Sequence, residues 1–196
     1  MKRELHNPEF DNHGYIQVYT GNGKGKTTAS LGLALRALGR GWDVLIVMLT
    51  KGGSDYGELY SFKKLAKKIE NRLTIVNAGE DHVIYKNNMT VDEKEKIKQG
   101  WEVAKKAILN NEYGLVINDE ANIAIDLGII EAQDVVETLK NKPKNVEVVL
   151  TGRRAHKSII EIAHLVSEIK PVKHYIDLGV MAREGVEYWK NILLKF

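Results

Sequence analysis

Short apolar runs and amphipathic stretches alternate along almost the whole chain. "YIQVYT" (15–20), "RLTIVNA" (72–78), "YGLVINDE" (113–120) and "NVEVVLTG" (145–152) read as strands bounded by turn residues. "DVLIVMLT" (43–50) is apolar at nearly every position, the pattern of a strand covered on both faces. Helical periodicity fills the intervals. In "TTASLGLALRALG" (27–39), Leu31, Ala34, Leu35 and Leu38 fall on one face and Gly39 reads as the stop. "ELYSFKKLAKKI" (58–69), "EAQDVVETLKNK" (131–142, stopped by Pro143) and "SIIEIAHLV" (158–166) are further helices. "VDEKEKIKQGWEVAKKAIL" (91–109) is the longest, opened by Thr90 as a cap with Glu93 three residues on. Strand following helix following strand predicts an α/β fold, a mostly parallel sheet with helices on both faces. No linker, repeat or low-complexity stretch divides the chain, so the expected organisation is one domain over 14–196 behind an N-terminal extension of residues 1–13.

Composition narrows the class. The 196 residues are 43% hydrophobic and 28% charged, which fits an ordinary soluble globular protein. With no cysteine there is neither a disulfide framework nor a thiolate metal site. Net charge is +3 from 29 basic and 26 acidic residues, too even a balance for nucleic acid as the main partner. Lys63-Lys64 and Lys67-Lys68 interleave with apolar residues and read as a solvated helix face. No apolar run approaches the roughly 20 residues of a membrane span, and "MKRELHNPEFDNHG" lacks the apolar core of a signal peptide. A cytoplasmic protein with no membrane partner is the expectation.

The chemistry concentrates in "YTGNGKGKTTASLG" (19–32). Gly25-Lys26-Thr27 supplies the end of the phosphate-loop pattern G-x-x-x-x-G-K-[ST], but the pattern's first glycine would fall on Thr20 and stands instead at Gly21. The loop is one residue short. It still follows a strand and opens a helix, as the motif requires. Gly21, Gly23 and Gly25 let the backbone curl with N–H groups turned toward an anion, and the positive end of the helix dipole adds to them. Lys26 offers an ammonium to phosphate oxygens, and Thr27 a hydroxyl to a divalent cation. A glycine-rich turn before a helix would need neither. Asp119 and Glu120, at the end of a mostly apolar strand, are the matching acids for a magnesium ion; the plainer alternative is a pair of loop acids capping the next helix. Arg36, nine residues past Thr27, faces phosphates or solvent. Arg153 and Arg154 follow a strand end, where ligands of open α/β sheets bind, and one of them is expected on phosphate. His174 and Trp101 fit a satisfied core residue as well as any chemical role.

Further segments recur in a set order: "GNGKGKTTA" (21–29), "ALRALGRGWDVLIVMLTKGG" (34–53), "NDEANIAIDLGII" (118–130), "VVLTGR" (148–153) and "VSEIKPVKHYIDLGVMAREGVEY" (166–188). Together they resemble the ATP:corrinoid adenosyltransferases of the CobA/CobO/BtuR family, from about Gly14 to Tyr188. The resemblance implies a homodimer with a P-loop NTPase-like (RecA-like or Rossmann-like) core. It implies a reaction in which a Co(I) corrinoid attacks the 5′ carbon of ATP and triphosphate leaves, with the nucleotide lying across the loop opposite to the usual sense. Carried onto this chain, Gly21, Asn22, Gly23, Lys24, Gly25, Lys26, Thr27 and Thr28 hold the triphosphate. Thr27 and Glu120, with Asp119, hold Mg2+, and Arg36 and Arg153 are phosphate-side contacts. A flavoprotein that supplies the electrons is the further partner implied. The residue types suit this chemistry: cobalt is the nucleophile, so the protein aligns two reactants and stabilises charge on the leaving group, with no general base required.

Three departures from the family pattern stand out. An aromatic "GFTW"-like segment that lines the corrin face is replaced by "GEDHVIYK" (79–86), which leaves His82, Ile84 and Tyr85 as the corrinoid-side candidates. "LDE" has become "NDE", with Asn118 at the strand end, and "TGRG" has become "TGRR". Two other readings of the same residues are a RecA-like ATPase or nucleotide kinase that cleaves the terminal phosphate, and a corrinoid-binding protein without catalysis.

Overall fold

The computed structural model describes residues 13–50, 57–66, 72–79 and 89–187. Among these residues six strands, β1 (Ile16–Thr20), β2 (Val44–Met48), β3 (Leu73–Asn77), β4 (Leu115–Asp119), β5 (Glu147–Thr151) and β6 (Leu165–Glu168), form one sheet in the order β3-β2-β4-β5-β1-β6. Every neighbouring pair is parallel. Every residue of β2, β4 and β5 is buried, which is why these runs are apolar without alternation.

Pleating sends alternate side chains into two cores. Val47, Val116, Val148 and Leu150 pack beneath α3 (Val91–Leu109), α4 (Ala121–Asp126), α5 (Ala132–Lys140) and α6 (Lys157–Ile162). Ile46, Leu115, Ile117 and Val149 pack on the other face against α1 (Lys26–Arg40) and α2 (Gly57–Ala66). Each fully buried Val, Leu or Ile contributes about 1.5–3 kcal/mol. On α1, Leu31, Ala34 and Leu38 are buried as their spacing predicts, whereas Leu35 is 54% exposed, at a cavity of about 390 Å³ between α1 and α2. The helix runs one residue past Gly39 and ends at Gly41, whose φ of 92° makes the left-handed cap. The Thr90–Glu93 capping box opens α3 in both directions. Among the described residues no helix is long and apolar enough to cross a membrane.

One expected element changes type. The helix expected over 158–166 stops at Ile162; Ala163 is extended, and Leu165–Glu168 becomes β6. The unpaired edge of β1 decides this. Ile16 N–H donates to His164 Nδ1 at 3.0 Å, and His164 N–H donates to Ile16 O at 2.9 Å. From there β6 pairs with Gln17 through Thr20. Satisfying an edge strand's backbone outweighs a local helical pattern. β6 is exposed on both faces. Beyond it, among the described residues, lies one 3₁₀ turn, Tyr175–Leu178, and Val172, Ile176, Leu178 and Met181 are on the surface.

Candidate functional site

The phosphate loop joins the carboxyl end of β1 to the first turn of α1. Gly25 is the N-cap with φ 120°, which a side chain rarely adopts; no side chain caps the helix and its first turn holds no acid. The first-turn N–H groups are therefore presented to an anion, at the positive end of the helix dipole. Lys26 is only 7% exposed, and its ammonium donates to Gly21 O and Gly23 O, both at 2.8 Å. A desolvated positive charge thus sits inside the curl of the loop.

The glycines of this loop answer to a neighbour that the motif does not contain. A Cβ on Gly21 would lie 2.4 Å from Ile169 O, and one on Gly23 would lie 2.8 Å from the same oxygen. Gly23 N–H donates to Ile169 O at 2.7 Å, and Ile169 N–H donates to Thr20 O at 2.8 Å. The backbone just past β6 is the wall of the loop. So the expectation that the alternating glycines turn their N–H groups toward an anion needs correction at Gly23, whose N–H is turned onto this wall.

Across β5 lie the acids. Asp119 ends β4 fully buried, and Glu120 follows it with φ 60°. A left-handed glutamate costs about 1–2 kcal/mol, and such strain gathers at functional sites. Asp119 Oδ2 accepts from Thr27 Oγ1 at 3.2 Å, a direct link between the strand-end acid and the phosphate loop. Asp119 Oδ1 accepts from Thr151 Oγ1 at 2.6 Å, and Thr151 Oγ1 accepts from Glu120 N–H at 2.9 Å. Gly152, with φ 123°, leaves the space where a Cβ would stand 3.2 Å from Glu120 Oε2. The two acids follow a strand end and precede α4, but Glu120 places no side-chain cap on that helix. Thr27, Asp119 and Glu120 form a hard-oxygen set suited to Mg2+, which takes one or two carboxylates and fills its remaining positions with phosphates and water. Among the described residues no group of three or more His, Cys, Asp or Glu is placed for a metal, so an all-protein cage is not built there.

The remaining candidates spread out. Asn22 and Thr28 are exposed at the loop and the start of α1. Lys24 Nζ donates to Val186 O at 3.0 Å and lies 3.7 Å from Glu187 Oε1, tying the loop to the C-terminal arm. Glu187 is itself gripped by the Tyr175 hydroxyl and by Arg183, which hold its carboxyl down at about 2. Arg153 is exposed just beyond β5, and Arg154 pairs with Asp126 at 2.9 Å. Arg36 is exposed farther along α1, where its charge acts on Tyr19; burial and then Glu147 raise that phenol above its usual range, with Arg36 opposing them. Trp101 is a satisfied core residue, its indole N–H donating to Asp134 Oδ2 at 2.6 Å. His174 caps the 3₁₀ turn by accepting from Ile176 N–H. His82, Ile84 and Tyr85 lie outside the described residues. Thr151, Gly152 and Ile169 belong to the site without having been singled out by sequence. The only local signal for the first two is a Thr-Gly pair closing a strand parallel to the acid-bearing one.

A family model for "ATP:corrinoid adenosyltransferase BtuR/CobO/CobP" matches residues 12–188. The chain belongs to this family. A corrinoid adenosyltransferase of Escherichia coli is 33% identical over 184 residues, covering 91% of this chain and 87% of its own length. One of Pseudomonas aeruginosa is 34% identical over 178 residues, covering 91% of this chain and 85% of its own. An uncharacterized protein of Nostoc sp. is 34% identical over 180 residues, 88% of this chain, and the chain spans about half of its length, 48%. The family match takes in the shortened loop, both strand-end acids, Thr151 and the arm that walls the loop.

Proposed function

We propose that this protein transfers the 5′-adenosyl group of ATP to a Co(I) corrinoid. The observation that carries the reading is the meeting of the phosphate loop with the Asp119–Glu120 strand end, through Thr27, in a chain of the corrinoid adenosyltransferase family. In this reaction the cobalt electron pair forms a bond to C5′, the C5′–O bond breaks, and its electrons leave with inorganic triphosphate. No proton moves at the reacting carbon, so the chain needs no general base.

The protein's own residues bind and orient. Lys26, the first-turn amides of α1 and Thr28 take the triphosphate, and their charge is fixed before the leaving group develops its own. Arg153 and Lys24 add positive charge at the loop's rim. Thr27, Glu120 and Asp119 would hold Mg2+. Bound there with ATP, magnesium supplies positive charge against the triphosphate oxygens. The segment carrying His82, Ile84 and Tyr85, which follows β3 in the sequence, is assigned to the corrin side. The exposed apolar arm beyond β6 is assigned to a second copy of the chain, giving a homodimer; sedimentation at micromolar concentration tests this, with a monomer the refuting result. A flavoprotein reductant in the cytoplasm completes the proposed setting.

Anaerobic incubation with ATP, Mg2+ and chemically reduced cobalamin tests the reaction. The expected products are a light-sensitive adenosylated corrinoid and one triphosphate per turnover. ADP and phosphate without a cobalt–carbon bond would replace this reading with the ATPase one.

A further inference from the structure

We propose that Thr151 is a positioning residue that sets the two strand-end acids for their separate tasks. The parallel register places Thr151 of β5 opposite Tyr19 of β1, in the strand that separates β1 from β4. Its side chain is fully buried, and its one hydroxyl makes two bonds. It donates to Asp119 Oδ1 at 2.6 Å and accepts from Glu120 N–H at 2.9 Å.

Each bond has a geometric consequence. With Oδ1 engaged by Thr151, the Asp119 carboxylate presents Oδ2 to Thr27 Oγ1 at 3.2 Å. The bond from Glu120 N–H fixes the peptide between the two acids, in the turn where Glu120 takes φ 60°. The next residue of β5 makes the arrangement possible: Gly152 lacks the Cβ that would stand 3.2 Å from Glu120 Oε2, and its carbonyl is held by Asn122 Nδ2 at 3.0 Å. Asp119 Oδ2 is thereby aimed at Thr27, while Glu120 is swung over the end of β5. A hydroxyl is the smallest group that both donates to a carboxylate and accepts from an amide. Valine keeps the shape and loses both bonds, and serine keeps both bonds.

The inference rests on the proposed Mg2+–ATP role of Thr27, Asp119 and Glu120, and its test separates the two. Affinity for Mn2+ in the presence of ATP is read by the loss of the free-ion electron paramagnetic resonance signal, without the corrinoid. Removing a partner that orients a metal ligand weakens metal binding about 10- to 100-fold. Thr151→Val is expected to raise the Mn2+ dissociation constant by about tenfold or more, and Thr151→Ser to stay within about twofold of wild type. Wild-type Mn2+ affinity in Thr151→Val, with only a lowered melting temperature, overturns the proposal. So does a Thr151→Ser protein as impaired as Thr151→Val. Should Thr151→Val not fold, Thr151→Ala against Thr151→Ser makes the same comparison. Glu120→Gln is the control: wild-type Mn2+ affinity there overturns the metal reading and this inference with it. Loss in Glu120→Gln without loss in Thr151→Val overturns this inference alone.

Discussion

Gly23→Ala tests whether the phosphate loop is shaped by the arm that walls it. Gly23 does not need a left-handed backbone, so the substitution is decided by space. The new Cβ would meet Ile169 O at 2.8 Å, Ile169 Cγ2 at 2.9 Å and Ile169 C at 3.0 Å, where ordinary contact begins at 3.4 Å. The wall must retreat by about 0.6 Å, and the 2.7 Å bond from Gly23 N–H to Ile169 O lengthens with it. Overpacking of this kind costs about 1–3 kcal/mol. A hydrogen bond adds about 1 kcal/mol. The stiffer unfolded chain returns about 0.4–1 kcal/mol. Because β6 is an exposed edge strand it gives way outward, so the lower half of the overpacking range applies and the net loss is about 2 kcal/mol. For a chain of this size that is a fall of roughly 4–8 °C in melting temperature. Urea denaturation gives the energy, and amide hydrogen exchange locates it: protection should drop at Val166–Ile169. Ile169→Ala should not rescue the variant, because two of the three close atoms are backbone. Gly25→Ala is the contrast, since its Cβ meets nothing within 4 Å and its cost is strain at φ 120° alone, with protection of β6 unchanged. A Gly23→Ala protein within about 0.5 kcal/mol of wild type and with β6 equally protected would refute the reasoning.

Other variants probe single features. Lys26→Ala should weaken ATP binding about 10- to 100-fold by calorimetry, the worth of a charge-assisted bond to phosphate, and near-normal binding would remove the loop from the site. Asn118 is fully buried between Val47 and Leu150 in register, and neither polar atom of its amide has a hydrogen-bond partner among the described residues; Asn118→Leu should stabilise the fold by about 1–3 kcal/mol in urea, and a loss of stability would mean the amide is satisfied. The Glu187 carboxyl, held at about 2 by Tyr175 and Arg183 against an ordinary 4.5, supports docking of the arm fully above pH 4.5 and loses that support as pH falls toward 2. Its carboxyl carbon resonance should titrate near 2, and a midpoint above 4 would show that the grip is absent in solution.

Most of the sheet was legible because β2, β4 and β5 are buried on both faces and so carry unbroken apolar runs. The phosphate loop and Asp119–Glu120 were legible because their chemistry is local: a curl, an ammonium, a hydroxyl, an acid at a strand end. β6 was not, because its first residues continue the apolar spacing of α6 and only the open edge of β1 makes them a strand. Leu35 departs from its pattern for a related reason: periodicity assigns a face but not the width of the groove beneath it. Thr151 is not legible, since a threonine closing a strand is ordinary β-propensity, and its contacts with Asp119 and Glu120 exist only once β5 lies between β1 and β4. The loop glycines are legible as positions but only partly in their cause, since what crowds Gly21 and Gly23 is the carbonyl of Ile169, distant in sequence.

That carbonyl imposes an order on assembly. The signature of the nucleotide loop is complete by Thr28, early in synthesis, yet the surface it folds against is made only when Ile169 has been added. A chain cut before β6 would keep every letter of the motif and lose the wall that shapes it. The growing polypeptide therefore carries the motif long before it carries the wall, so the letters of the loop and its folded shape arrive at separate stages of synthesis.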